Sequence, residues 1–457
     1  MTTTEPLTLV SAHVERVLGE YDHHLDFPKD KEFVIIYGPN GVGKTKFLEI
    51  LHAASQISGR DLAMLPFSKA TLRYSNGSIM TISNEYFHPG YSEIGQSPQL
   101  LRFRLESGGK VLGTYTYEGD RSEEWLTSHT TWRPVGRNFW EDQSDGEVTT
   151  LDDLERRYPD LRQNRPRQSK IPDAIMAFKS TIPSFLIETQ RLRIESLTTD
   201  RERRAFEFDL IRGERRKRRP SSKIAQQAEK MRSLINDAQT EHSKITQQLD
   251  RTFPNRVLEA SENSRVEDAE VRRRYNDQNS FRSRLAPVAS VSLEDALSLP
   301  DRQLLDWELQ LLSLYLVDTD KKLAPFETLL QKIELLESIV NSRLLNKRIQ
   351  VTASEGLKVV HETSGDRINL DALSSGEQHE IILMFDLLFN VPRGALVLID
   401  EPEISLHVVW QLAFIPDVRR IAEVAGFRFV VATHSPQIIN DMWEQAVRLG
   451  PSEAAFS

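Results

Sequence analysis

The sequence predicts an α/β fold: a mixed sheet with an antiparallel lobe, interrupted by an inserted helical domain. Three observations carry that prediction. Short apolar runs alternate with helical periodicity near both ends of the chain. A glycine-rich loop joins one such run to a helix near residue 40. The middle third is charged and carries apolar residues at heptad spacing.

The first element is "KEFVIIYGPNGVGKTKFLEILHAAS" (31–55), an apolar strand, a glycine loop and an amphipathic helix. Gly38, Gly43, Lys44 and Thr45 match G-x-x-x-x-G-K-[ST], with a strand before and a helix after. Glycines let backbone N–H groups approach phosphate oxygens, and the helix N-terminus adds positive potential. Lys44 is placed to reach the β- and γ-phosphates, and Thr45 to ligate Mg²⁺. The implied ligands are ATP and Mg²⁺, with Asn40, Gly41, Gly43, Lys44, Thr45 and Lys46 as the expected cradle.

From about 70 to 190, runs such as "KATLRYSNGSIMTIS" and "KVLGTYTYEG" alternate in polarity between Asn-Gly and Gly-Gly turns, which predicts antiparallel strands. Segment 124–147 holds Trp125, Trp132 and Trp140 in polar surroundings without a clear period, and reads as a loop or insertion.

From about 196 the composition turns charged and helical. Ile224, Ala228, Met231, Ile235, Ala238, His242, Ile245 and Leu249 form one seam. Leu305, Leu309, Leu312, Leu316, Thr319, Leu323, Phe326, Leu330 and Ile333 form another. Two long helices joined through a turn region (253–280) predict an antiparallel hairpin projecting from a head. Two ordinary helices within a compact helical domain are the alternative.

After 347 the strand pattern returns. In "GALVLIDEPEISLH" four apolar residues deliver Asp400 and Glu401 to a strand end, where open α/β sheets bind ligands. Asp400 fits a Mg²⁺-holding carboxylate and Glu401 a general base. His434 in "VVATHSPQII" follows another strand and is a candidate γ-phosphate sensor, and Gln190 in "SFLIETQRLRIE" follows a further one. In "DALSSGEQHEIILMF" (371–385), Ser374, Ser375 and Gly376 cap an apolar helix. The expected division is 1–195 and 346–457 for the two halves of the head, with 196–345 as the helical insertion.

Composition bounds the rest. With 39% hydrophobic residues in 457, a sizeable core is available, and the formal net charge of −9 argues against a generally basic nucleic-acid coat. There are no cysteines, which excludes disulfides and thiolate metal sites. No apolar run reaches membrane-spanning length, and "MTTTEPLTLV" lacks signal-peptide character, so a soluble cytoplasmic protein is expected, with no membrane partner. "RERRAFEFDLIRGERRKRRP" (201–220) is the one dense basic run; it could meet DNA phosphates or an acidic protein, or be a solvated face balanced by Glu202, Glu207, Asp209 and Glu214.

These pieces together resemble the ABC-type ATPase superfamily, in the branch with SMC, RecF and OLD-like ATPases. There "LSSGEQ" (373–378) would be the signature motif. The resemblance implies that two heads meet head to tail, as a homodimer or higher homo-oligomer. Ser374, Ser375, Gly376 and Glu377 would then serve the ATP held by the other copy. It makes Gln190 the glutamine that senses Mg²⁺, His434 the switch histidine, and "ISLH" (404–407) the loop communicating across the dimer. The second glycine of the transporter-type signature is absent, and the insertion is too short for an SMC coiled coil. No Toprim nuclease domain is expected after "THSPQII". "ETQRL", a short hairpin and "EPEISLH" resemble the ATPase subunits of the anti-phage systems PARIS and Septu. That implies an ATP-hydrolysing switch controlling a separate effector, a nuclease, in antiviral defence. Two other readings stand beside it: a DNA repair or chromosome-maintenance ATPase binding DNA through Arg215–Arg219, and a nucleotide-bound oligomeric scaffold with little turnover.

Overall fold

The computed structural model describes residues 7–27, 31–85, 100–118, 122–135, 139–159, 170–188, 222–259, 267–289, 298–404 and 406–450. Gln190, the basic run 201–220 and Ser405 lie outside them.

A parallel sheet organises the head. In spatial order its strands are Ser184–Glu188, Leu396–Asp400, Arg428–Thr433, Phe33–Tyr37 and Ala446–Arg448. Every neighbouring pair is parallel. The near-continuous apolar runs are explained by burial on both faces. Phe33, Ile35, Val397, Ile399, Phe429 and Val431 enter one core cluster. Their alternates Val34, Ile36, Leu398, Val430 and Ala432 enter the other. Each buried Val, Leu or Ile contributes roughly 1.5–3 kcal/mol of transfer free energy. The strand order puts sequence-distant residues side by side: Tyr37 pairs with Thr433, and Asp400 with Ala432.

The antiparallel strands form a separate sheet. Its order is Tyr21–Asp26, Leu9–Val17, Lys69–Tyr74, Ile79–Asn84, Leu100–Ser107 and Lys110–Glu118. Ala70, Leu72, Met80, Ile82, Leu101 and Phe103 line its buried side, in the same core cluster as Phe47, Leu48 and Leu51 of the helix Lys44–Ser55.

The tryptophan segment is folded rather than loop-like. Helix Ser122–His129, strands Trp132–Pro134, Phe139–Asp142 and Val148–Thr150, and helix Leu151–Arg157 surround a small core of Leu126, Trp132, Trp140 and Leu154. Elements this short give no readable periodicity.

Among its described residues the helical region holds three long helices, not two. The first runs from Lys223 to Glu259 and the last from Asp306 to Asn341. They are antiparallel: His242 Nδ1 lies 2.6 Å from Lys322 O, Lys322 Nζ reaches Asp250 at 2.7 Å, and Arg256 pairs with Asp318. Ile224, Met231 and Ile235 are fully buried, whereas His242, Ile245 and Leu249 are half-buried. Burial of the first helix thus falls toward its far end, whereas the last helix stays buried there at Leu316, Asp318, Thr319 and Leu323. The turn region between the two seams is smaller than its sequence suggests. The first helix continues through Pro254, and a further helix, Asp268–Ala289, packs beside the last one. Its buried stripe is Val271, Gln278, Leu285 and Val288. Gln278 donates to Leu316 O at 2.8 Å, so a polar residue occupies a seam position and hides the periodicity.

Candidate functional site

The phosphate loop is shaped by two close approaches. A Cβ on Gly38 would lie 2.3 Å from Leu449 O, and one on Gly43 would lie 2.8 Å from Val17 Cγ1. Gly43 also has φ 84°, the left-handed region that glycine adopts without penalty. It begins the helix Lys44–Ser55, which no side chain caps, so the first backbone N–H groups remain directed at the loop. From the antiparallel sheet, His23, 1% exposed, donates its Nε2–H to Val42 O at 2.7 Å. Burial lowers the His23 pKa, against the hydrogen bond to Val42, which keeps it the neutral donor.

Lys44 is buried, and its Nζ donates to Gly38 O and Pro39 O at 3.0 Å each. It also stands 3.2 Å from His434 Nδ1. Burial lowers its pKa, opposed by the carboxylates Glu401, Asp400 and Glu403. Asp400, 6% exposed, ends the strand Leu396–Asp400. Glu401 follows with φ 45°, a conformation costing a non-glycine residue on the order of 1 kcal/mol. Its N–H still donates to Ala432 O at 2.8 Å, while its Oε1 comes within 3.4 Å of His434 Nε2. Burial and the neighbouring Lys44 lower the His434 pKa, so the imidazole is neutral near pH 7. A buried lysine, a strand-end glutamate and a histidine therefore converge at the carboxyl ends of adjacent strands.

The sequence reading missed two further groups here. Glu403 Oε1 accepts the backbone N–H of His434 at 2.6 Å. Gln411, 8% exposed, accepts from Ser435 Oγ at 2.7 Å and donates to Leu406 O at 3.2 Å. A third acidic residue in "DEPE" and a glutamine six residues after "EIS" carry no distinctive spacing.

The signature segment builds a helix start of its own. Ser374 Oγ accepts from Glu377 N at 3.3 Å, and Glu377 Oε2 accepts from Ser374 N at 2.9 Å, a reciprocal capping box on the helix Ser375–Phe385. Lys347 donates to both Glu377 oxygens, at 2.8 and 2.9 Å. Burial alone would raise the Glu377 pKa, but the hydrogen bonds from Lys347 and Ser374 outweigh it and lower it. Ser374 and Ser375 are exposed, and no hydrogen bond or ion pair among the described residues joins 374–377 to Lys44, Glu401 or His434. Among the described residues, the signature helix and the helix Lys44–Ser55 pack mainly against different elements.

For a hard cation such as Mg²⁺, oxygen donors and substrate phosphates suffice. The Thr45 hydroxyl at the helix start and the buried Asp400 carboxylate at the neighbouring strand end are donors of the right chemistry. Gln190 falls outside the described residues, as does the Arg215–Arg219 run.

A family model described as an AAA ATPase domain matches residues 20–439. Among solved structures, the chain is similar to the Smc head domain with an extended coiled coil bound to the C-terminal domain of ScpA, derived from Pyrococcus furiosus. That likeness has 12% identity and a TM-score of 0.35, and covers 95% of this chain and 91% of that one. A second, the SmcHead bound to the C-winged helix domain of ScpA, is 10% identical with a TM-score of 0.36, covering 97% and 95%. Among the described residues no helix is long and apolar enough to cross a membrane.

Proposed function

Because the chain belongs to the AAA ATPase domain family and is an ATPase, we propose that Lys44, Glu401 and His434 form its hydrolytic centre. The observation carrying this is their convergence, with Nζ–Nδ1 at 3.2 Å and Nε2–Oε1 at 3.4 Å. Asn40, Gly41, Gly43, Thr45 and Lys46 complete the phosphate cradle in this reading. Lys44 neutralises the γ-phosphoryl oxygens. Glu401 accepts the proton of the attacking water as its oxygen bonds to the γ-phosphorus and the bond to the bridging oxygen breaks. His434, neutral, directs a ring nitrogen at the phosphoryl group. Thr45 and Asp400 would hold Mg²⁺, which supplies charge neutralisation when bound. The order of the motifs supports Gln190 as a further contact to it.

The exposed, preorganised start of the signature helix supports a second copy as its target. In this reading Ser374, Ser375, Gly376 and Glu377 meet the γ-phosphate held by the partner head, so ATP closes a dimer and hydrolysis opens it. The long helices carry that movement to a separate effector. The resemblance to anti-phage ATPase subunits supports a nuclease effector and a role in antiviral defence.

A Glu401→Gln chain should bind ATP with wild-type affinity and hydrolyse it about 10²–10⁴ times more slowly. Titration with a fluorescent ATP analogue and a phosphate-release assay measure the two properties. Wild-type turnover in that variant would remove Glu401 from the role of base. Co-purification of a nuclease encoded beside this chain tests the effector, and its absence from the purified complex would count against it.

A further inference from the structure

We infer that Glu403 is the positioning residue for His434, holding the histidine in line with Lys44 and Glu401 through its backbone rather than its ring. The inference rests on the hydrolytic reading of His434.

His434 is the first residue beyond the strand Arg428–Thr433. Its N–H therefore needs an acceptor from outside the sheet. Glu403 supplies it: Oε1 lies 2.6 Å from that nitrogen, a short, charge-assisted contact between segments 31 residues apart. The other oxygen, Oε2, is buried with no hydrogen-bond partner among the described residues. A carboxylate committed to one backbone N–H in this way fixes where the following peptide turns.

The next residue is fixed too. Ser435 Oγ donates to Gln411 Oε1 at 2.7 Å, and its N–H donates to Thr433 Oγ1 at 2.9 Å. Gln411 Nε2 then reaches Leu406 O at 3.2 Å and Glu403 O at 3.4 Å. The loop after Glu401 and the loop carrying His434 are thus joined twice, by the Glu403 carboxylate and by the Gln411 amide. The loop after Glu401 is also where Glu401 takes its φ of 45°. One clamp therefore sets both groups that flank the γ-phosphate.

Glu403→Met and Glu403→Gln separate placement from charge. Methionine keeps the volume and removes the acceptor; glutamine keeps an acceptor oxygen and removes the charge. In steady-state ATP hydrolysis, Glu403→Met should lower kcat about 10- to 100-fold while KM stays within about twofold. Glu403→Gln should stay within about threefold of the wild-type kcat. Wild-type kcat in Glu403→Met overturns the inference, as does a loss in Glu403→Gln as large as in Glu403→Met. His434→Ala is measured alongside. If it turns over normally, the reading of His434 fails; if it is impaired and Glu403→Met is not, only the clamp fails. Should Glu403→Met not fold, Ser435→Ala breaks the Gln411 arm instead, with an expected kcat loss of about threefold or more. An unchanged kcat there overturns the inference.

Discussion

Lys44 and His434 stand 3.2 Å apart, Nζ to Nδ1, although 390 residues separate them in sequence. Two parallel strands side by side, Phe33–Tyr37 and Arg428–Thr433, produce the contact, because each ends at the same edge and delivers its next residues to one place. The Lys44 ammonium thus faces one ring nitrogen, while the Glu401 carboxylate lies 3.4 Å from the other, Nε2. The placement of charge around the imidazole thus follows from strand register.

His23 ties stability to pH. Its folded pKa lies below the ordinary value of 6.5, so the unfolded chain binds the proton more tightly. The stability it contributes is present above about pH 6.5 and is lost as pH falls through the folded value. Thermal unfolding midpoints should drop between about pH 7.5 and 5.5, and the drop should be smaller in His23→Phe. Equal drops in both chains would show that His23 does not titrate with folding.

Arg343, just past the last long helix, pairs with Glu380 of the signature helix and Asp417 of the helix Val408–Ala425. Arg343 and Glu380 side chains are 4% and 2% exposed, so removing the cation strands buried carboxylates. Arg343→Met should cost about 3–5 kcal/mol in urea unfolding. Replacing Glu380 and Asp417 by Leu in the same chain should recover most of it. A cost under about 1 kcal/mol would mean that water reaches the cluster.

Lys347 should matter locally rather than globally. Its pair with Glu377 is partly exposed, so Lys347→Met should change global stability by less than about 1 kcal/mol. Hydrogen exchange at the amides of 375–378 should nonetheless quicken about tenfold, as the cap loses its anchor. Unchanged exchange would show that the Ser374–Glu377 box holds without it.

Much of the head was legible because its strands are buried on both faces. "VIIY", "LVLI" and "FVVA" must be apolar throughout, and that marks both the strands and the candidate site residues at their ends. The helical seams were legible for the same reason. Glu403 was not, because an acid two residues after Glu401 looks the same whether it faces solvent or another loop's N–H. His23 was hidden beside His24, and only strand alternation separates the buried ring from the exposed one. The helix Asp268–Ala289 was obscured because Gln278 stands where a seam expects leucine.

A nucleotide site completed by a second copy is tested by mixing two defective chains. Lys44→Met removes the lysine proposed to bind phosphate, and Ser375→Arg blocks the signature. Each alone should be inactive. Mixed equally, half of the dimers should carry one intact composite site, so phosphate release should return to about a quarter of the wild-type rate per chain. Full activity in Ser375→Arg alone, with a specific rate independent of protein concentration, would contradict the claim.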